Sequence, residues 1–493
     1  MAAKSLWHHV FIRTCIFLLH LLAPLSVVYS LVSSLFLLPF QLPRVLNLWL
    51  ALEAVFYLLI YLPLKRHLQR AAKHPVPPCR KDRRKLFLRC NVTNPDPDRY
   101  LRKWFRDAPA AEIKRENVKD FFRWAFLNTG DPDPTFDDEL DDYISELEKQ
   151  LGRRLEPGRG NAKCLRLTLD KVEMLHRSLT WYLCILVVDS IASISLRYHS
   201  FEFYRPSLLQ ILSIFPPRPL AIISSYRSPG KLLTYWHRPH TSETRLPILF
   251  IHGIGVGLYP YINFLTSLNA NDEYADPDGQ LGIIAVEIMP ISSRLTAQAM
   301  LKDEMCDEIL RIVEAHGWEK VVLVTHSYGS VVAAHLLRNS RMERKIGPTT
   351  FIDPVSFLLH LPDVAYNFVY RQPSRTKEHV FSYFGSKDIG IAHTLSRRFF
   401  WADNILWKED IQGHRVTVVL AGRDVIIDAE TVGAYLTGSE AWNLETGRWK
   451  HGLWQGDEVD VLWFPHLDHG QAFDEKETRS RLVQVVRGYC KEG

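Results

Sequence analysis

Cysteine is scarce and charge is nearly balanced. The 493 residues hold seven cysteines, an odd number with no CxxC pair. That excludes a disulfide framework and a cysteine-rich zinc module. Lysine and arginine number 60 against 55 acidic residues, a net charge of +5. A nucleic-acid binder coated in positive charge is excluded with that balance, and no nucleic-acid partner is expected. There is no internal repeat, no P-loop lysine and no HExxH. What is present is a folding composition, 47% hydrophobic and 23% charged, which rules out disorder along the whole chain and the collagen-like and low-complexity classes.

The average hides an uneven layout. From Ile16 to Phe40 there is no formal charge, and from Val45 to Leu64 there is one, Glu53. A membrane-spanning helix needs about 20 mostly apolar residues. Both runs qualify, so residues 1–64 are expected to form two membrane helices, about 10–40 and 45–64, joined as a hairpin with its turn near Gln41–Arg44. The first run is too long for the apolar core of a signal peptide, and a second follows at once. Pro24 is a potential kink, and both a full span and a hairpin that dips into one leaflet fit the pattern. Residues 65–85 then carry a net charge of +8, with Asp82 the only acid, which leaves everything after residue 85 at −5. This basic linker marks the cytosolic side by the positive-inside bias and suits anionic headgroups. The expected partner is a lipid membrane, with the main domain in the cytosol. The endoplasmic reticulum and the lipid droplet both fit. Asn91-Val92-Thr93 matches a glycosylation sequon that a cytosolic domain would not use.

Residues 86–231 read as a mainly helical region. It includes an exposed acidic helix at Glu139–Gln150 and an apolar stretch, Leu179–Leu196, interrupted by Asp189. An acid is costly in lipid, so the stretch is expected as a buried or interfacial helix rather than a third span.

Chemistry concentrates in residues 232–493. Strand-like runs at Leu232–Trp236, Pro247–Ile251, Gly282–Ile288, Val321–Val324, Thr349–Ile352, Val416–Ala421 and Val459–Phe464 alternate with helical runs at Thr296–His316, Val331–Arg338 and Glu475–Cys490. Continuous apolar strands alternating with helices predict an α/β fold with a mostly parallel sheet. Ligands bind such sheets at the carboxyl ends of the strands, where Thr325-His326-Ser327-Tyr328-Gly329 stands between a strand and a helix. This resembles the nucleophile elbow G-x-S-x-G of the α/β-hydrolase superfamily, with Thr325 in place of the first glycine. The resemblance covers about residues 232–490. The whole layout, with its apolar N-terminus, is similar to membrane-anchored fungal hydrolases without assigned substrates.

The resemblance implies an α/β-hydrolase fold with no cofactor and a nucleophile, acid and histidine in that chain order. Ser327 is then the nucleophile. Asp424, in the Gly422-Arg423-Asp424 that follows a strand, is the acid, and His469, in the loop after the last strand, is the base. Asp353, at the preceding strand end, is the alternative acid, and His466 the alternative base. The His252-Gly253-Ile254 element resembles the family's oxyanion loop, which makes the backbone N–H groups of Ile254 and Tyr328 the expected donors. A dinucleotide loop is excluded because GxGxxG would need glycine at Leu258 or Pro260. A metal set of His466, Asp468 and His469 is the weaker reading beside a serine elbow. The insertion at about 356–412, rich in aromatic residues, is expected to form a cap suited to an apolar substrate. The expected activity is that of a membrane-anchored serine hydrolase cleaving carboxylic esters of apolar molecules. A thioesterase or amidase with the same triad, and a degenerate tethered scaffold, are the alternatives.

Overall fold

The computed structural model describes residues 2–35, 42–269, 278–438, 447–451, 453–456 and 459–491. The expected hairpin turn at Gln41 falls partly outside them.

Nine strands form one sheet: β1 (Glu202–Tyr204), β2 (Thr234–Arg238), β3 (Ile248–Ile251), β4 (Ile283–Glu287), β5 (Val321–His326), β6 (Ile346–Ile352), β7 (Val416–Ala421), β8 (Leu453–Trp454) and β9 (Val459–Phe464). Their order is β1-β2-β4-β3-β5-β6-β7-β9-β8. The six strands from β4 to β9 run parallel. β1, β2 and β8 pair antiparallel at the two ends. This is the α/β-hydrolase fold expected from the sequence. The sheet begins before residue 232, because β1 belongs to it. β1 and β8, at three and two residues, are too short for a period-2 pattern to register.

The central strands are mostly apolar because both faces are covered. In β3 and β5, Leu249, Ile251 and Leu323 join one core, while Ile248, Phe250, Val322 and Val324 join the other. Each side chain so buried contributes about 1.5–3 kcal/mol over an exposed one. The helices Lys302–Ala315, Gly329–Arg338 and Ala429–Thr437 cover the first face. Leu179–Tyr198, Ile262–Ser267 and Lys476–Cys490 cover the second.

Among the described residues three helices are long and apolar enough to cross a membrane: Trp7–Ser34, Arg44–His67 and Leu179–Tyr198. The first, α1 (Ala2–Ser34), runs through Pro24 without a break. The second starts as α2 (Arg44–Val55) and continues through a π-turn, Phe56–Tyr61, to His67. The lone acid of that run has a structural task. Glu53 is fully buried, and its carboxylate accepts the Leu179 N–H at 2.9 and 3.0 Å. A carboxylate at a helix N-terminus meets unpaired N–H groups and the positive end of the helix dipole.

The acidic helix is the solvated face the sequence suggests along Asp138 and Asp142, but not at Glu139. In Asp137–Leu151, Glu139 is buried and receives Arg83 at 2.8 and 2.6 Å, while the Tyr143 hydroxyl donates to it at 2.6 Å. Arg80 and Arg84 of the basic linker lie 3.4 and 3.3 Å from Asp142. Part of the linker's charge is therefore matched within the fold. Asp189 is likewise resolved by pairing: Arg218 Nε lies 3.0 Å from it, and Arg294 binds its other oxygen.

Candidate active site

The turn after β5 decides the position of Ser327. Its φ is +49°, in the left-handed region that side chains rarely adopt. The strained backbone is held by Ser327 N–H bonding to Ile352 O at 3.0 Å and by the helix that starts at Gly329. A Cβ at 329 would lie 2.4 Å from the Ile251 carbonyl oxygen, and one at 253 would lie 2.8 Å from the Ser327 Cβ. Backbone passes the serine this closely only because both positions are glycine. Thr325, the departure from the elbow pattern, sits fully buried in β5, paired with Ile251 and Phe351. It is the fifth residue of that strand, still within the sheet and two residues before the turn's serine.

Ser327, His469 and Asp424 come together from three strand ends. Ser327 Oγ lies 2.8 Å from His469 Nε2, and His469 Nδ1 lies 2.7 Å from Asp424 Oδ2. The other oxygen of Asp424 accepts the N–H groups of Ile426 and Ile427 at 2.7 and 3.1 Å, which fixes the carboxylate. The histidine loop is fixed by Asp468. Its Oδ1 accepts the His469 N–H at 2.8 Å and the Val425 N–H at 3.1 Å, tying the two loops together, and Lys377 reaches its Oδ2 at 2.8 Å from the cap.

Asp353 is buried one layer below. Its oxygens accept the N–H of Ala421 at 3.1 Å and of Gly470 at 2.7 Å. It makes no hydrogen bond to His469 and supports the histidine loop instead. His466 is exposed and takes no part in the cluster. Asp353, Asp424 and His469 do bring ligand-type atoms within 4.8 Å of one another. Those atoms already serve as partners to Ser327, to each other and to backbone N–H groups.

Electrostatics follow from burial. Desolvation alone would lower the pKa of His469. The carboxylate of Asp424, by charge and by hydrogen bond, outweighs it and raises the value above the ordinary histidine range, with Asp353 and Asp468 adding to the rise. Burial is also the main reason Asp353 is pushed up to about 7. His326 is held neutral, first by burial and then by the charge of His469. Its Nδ1 meets the Tyr261 hydroxyl at 2.8 Å, and that hydroxyl receives the Gly253 N–H at 3.2 Å. His252 Nε2 accepts the Ile288 N–H at 2.9 Å. Tyr261, His326 and Asp468 therefore brace the site; His326 and Asp468 stand next to the residues the sequence singles out, but nothing in the sequence gives any of the three this role.

Ser327 and His469 open into a cavity of about 250 Å³. Ile254 and Tyr328 line it beside them. The cap contributes Phe368, Phe381, Phe384 and Phe399. The N-terminal region contributes Trp104 and Trp124, which the sequence reading did not anticipate. Nothing in the local pattern of 86–231 distinguishes a wall residue from a core residue.

No family model matches the sequence, and no curated protein matches it. Solved structures are similar at low identity. The carboxylesterase CesB from Bacillus subtilis superposes with a TM-score of 0.37 at 10% identity, over 63% of this chain and 99% of its own. A bacterial membrane phospholipase A, described as a virulence factor, gives 0.38 at 11%, over 63% and 94%. Naproxen esterase from B. subtilis gives 0.37 at 12%, over 62% and 98%. The chain's own strand order is what defines its fold.

Proposed function

We propose that this chain is a membrane-anchored serine hydrolase that cleaves carboxylic esters of apolar, lipid-like molecules through an acyl-enzyme. The observation that carries the proposal is the hydrogen-bonded line from Ser327 through His469 to Asp424 at one end of an apolar cavity. In this reading His469 Nε2 takes the Ser327 proton as Oγ attacks the ester carbonyl carbon. The oxyanion that forms is received by the N–H groups of Tyr328 and Ile254, each worth about 3–4 kcal/mol. The C–O bond to the leaving group breaks, and the imidazolium returns its proton to the departing alcohol. Water, deprotonated by the same histidine, then releases the acid and restores the serine. Asp424 holds the histidine in the tautomer that leaves Nε2 free. Asp353 and Asp468 position the loops.

The two N-terminal helices anchor the chain in this reading. The basic stretch 65–85 then faces the cytosol. An anchor beside an aromatic cap suits esters that partition into lipid.

The test is covalent labelling with a fluorophosphonate in membranes expressing the full chain, together with hydrolysis of p-nitrophenyl esters of increasing acyl length. The expected result is labelling that Ser327→Ala abolishes and a preference for longer acyl groups. Equal labelling of both proteins, or none of the unaltered one, overturns the proposal. The second outcome leaves a tethered scaffold.

A further inference from the structure

The body of the protein does not stand clear of its apolar N-terminal helices. Glu53, which caps the helix Leu179–Tyr198, lies twelve residues before Lys65. Lys65, Arg66 and His67 end the second apolar helix and mark the depth at which charge can meet water. Twelve helical residues rise about 18 Å, slightly more than half of a hydrocarbon core about 30 Å thick. With the apolar helix inserted along the bilayer normal, the first turn of Leu179–Tyr198 would stand about one leaflet below the charged boundary. Packing holds it there: the Phe56 ring lies 5.6 Å from Tyr182, and both Phe56 and Tyr182 meet Phe215. The cap reaches a similar depth on the other side, where the Tyr383 ring lies 5.8 Å from His20 of α1.

The helix pinned in this way is dressed for lipid on one face only. Tyr182, Ile185, Ala192 and Leu196 pack inward. Leu183, Val187, Ile191 and Ile194 are exposed along the other side, between 48% and 60%. Its one acid, Asp189, is turned into the body onto Arg218 and Arg294. A charge-free apolar stripe of this kind is unfavourable in water and suits an acyl-chain environment.

We propose that the domain sits in the near leaflet, with the outward stripe of Leu179–Tyr198 against lipid acyl chains. This rests on the reading that the two N-terminal helices insert into a bilayer. One aromatic layer would then separate the leaflet from the cavity. Trp181, in the same first turn, lies 4.9 Å from Phe384, which lines the cavity. The leaflet itself becomes the source of substrate.

Depth measurements on the full chain test this. Cys15, Cys79 and Cys184 are replaced by serine, and the remaining cysteines are buried. A single environment-sensitive fluorophore is attached at Leu183→Cys or Ile191→Cys, with Val187→Cys as a substitute if either fails to fold. Leu31→Cys reports on the anchor and Lys149→Cys on water. The protein is reconstituted into phosphatidylcholine vesicles with or without brominated acyl chains. The expected result is that labels at 183 and 191 lose emission as strongly as the label at 31, while 149 is unchanged. If 31 is quenched and 183 and 191 behave like 149, the anchor stands and this inference falls. If 31 is not quenched either, the anchor reading fails and takes this one with it.

Discussion

Of the buried carboxylates near His469, Asp424 and Asp353 each follow a strand, and replacing each by asparagine separates their roles. In Asp424→Asn the Oδ1 site keeps the N–H groups of Ile426 and Ile427, which only an oxygen can accept. The new NH₂ must then face His469 Nδ1, now 2.7 Å from a carboxylate oxygen. Two donors cannot share a hydrogen bond, so Nδ1 is forced to become the acceptor and Nε2 carries the proton. That tautomer cannot take the Ser327 proton. The loss is about 10⁴-fold in kcat, or about 5 kcal/mol of transition-state stabilisation. In Asp353→Asn the two N–H groups of Ala421 and Gly470 compete for one remaining oxygen. One is left unpaired in a buried place, at about 1–3 kcal/mol of stability, with a much smaller change in kcat. The assay is steady-state hydrolysis of a short p-nitrophenyl ester, normalised by fluorophosphonate titration, with thermal unfolding in detergent alongside. Loss of turnover in Asp353→Asn with survival in Asp424→Asn would refute the assignment.

The raised pKa of His469 sets the sign of the pH dependence. Protonated His469 cannot act as base, so kcat/KM rises with pH on a limb lying above the ordinary histidine value of about 6.5, and Asp424→Asn moves any residual limb downward. A limb at or below that value in the unaltered protein contradicts the charge arrangement. Gly329→Ala places a methyl group 2.4 Å from the Ile251 carbonyl oxygen and 3.2 Å from that of His252. It costs about 1–3 kcal/mol or more, read as a lower urea midpoint. Gly488→Ala, which meets nothing within 4 Å and lies within a helix, serves as the control and leaves the midpoint unchanged or raises it.

Much of the fold is legible along the chain because its signals are local. β7 and β9 match the apolar runs Val416–Ala421 and Val459–Phe464 residue for residue. Each run is apolar but for a single position, Thr417 in one and Asp460 in the other, too little to confuse the reading. Ser327 is recognisable by the strand before it and the glycine after it, Asp424 by the glycine two residues before it, and His469 by the loop after the last strand. The acidic helix misleads for the opposite reason. One of its charges, Glu139, reads as solvated until Arg83, 56 residues away, is seen to bury it.

The apolar N-terminal runs, the basic stretch behind them and the alternation of strand-like with helical runs are properties of the sequence itself, since each depends on neighbours a few residues apart. Tertiary structure alone decides which carboxylate meets the histidine. Asp353 and Asp424 both follow strands, and only the packing of three loops aims one at the imidazole and the other at backbone. The same holds for Glu53, which in sequence is a blemish in an apolar run and in space is the cap of a helix 126 residues away.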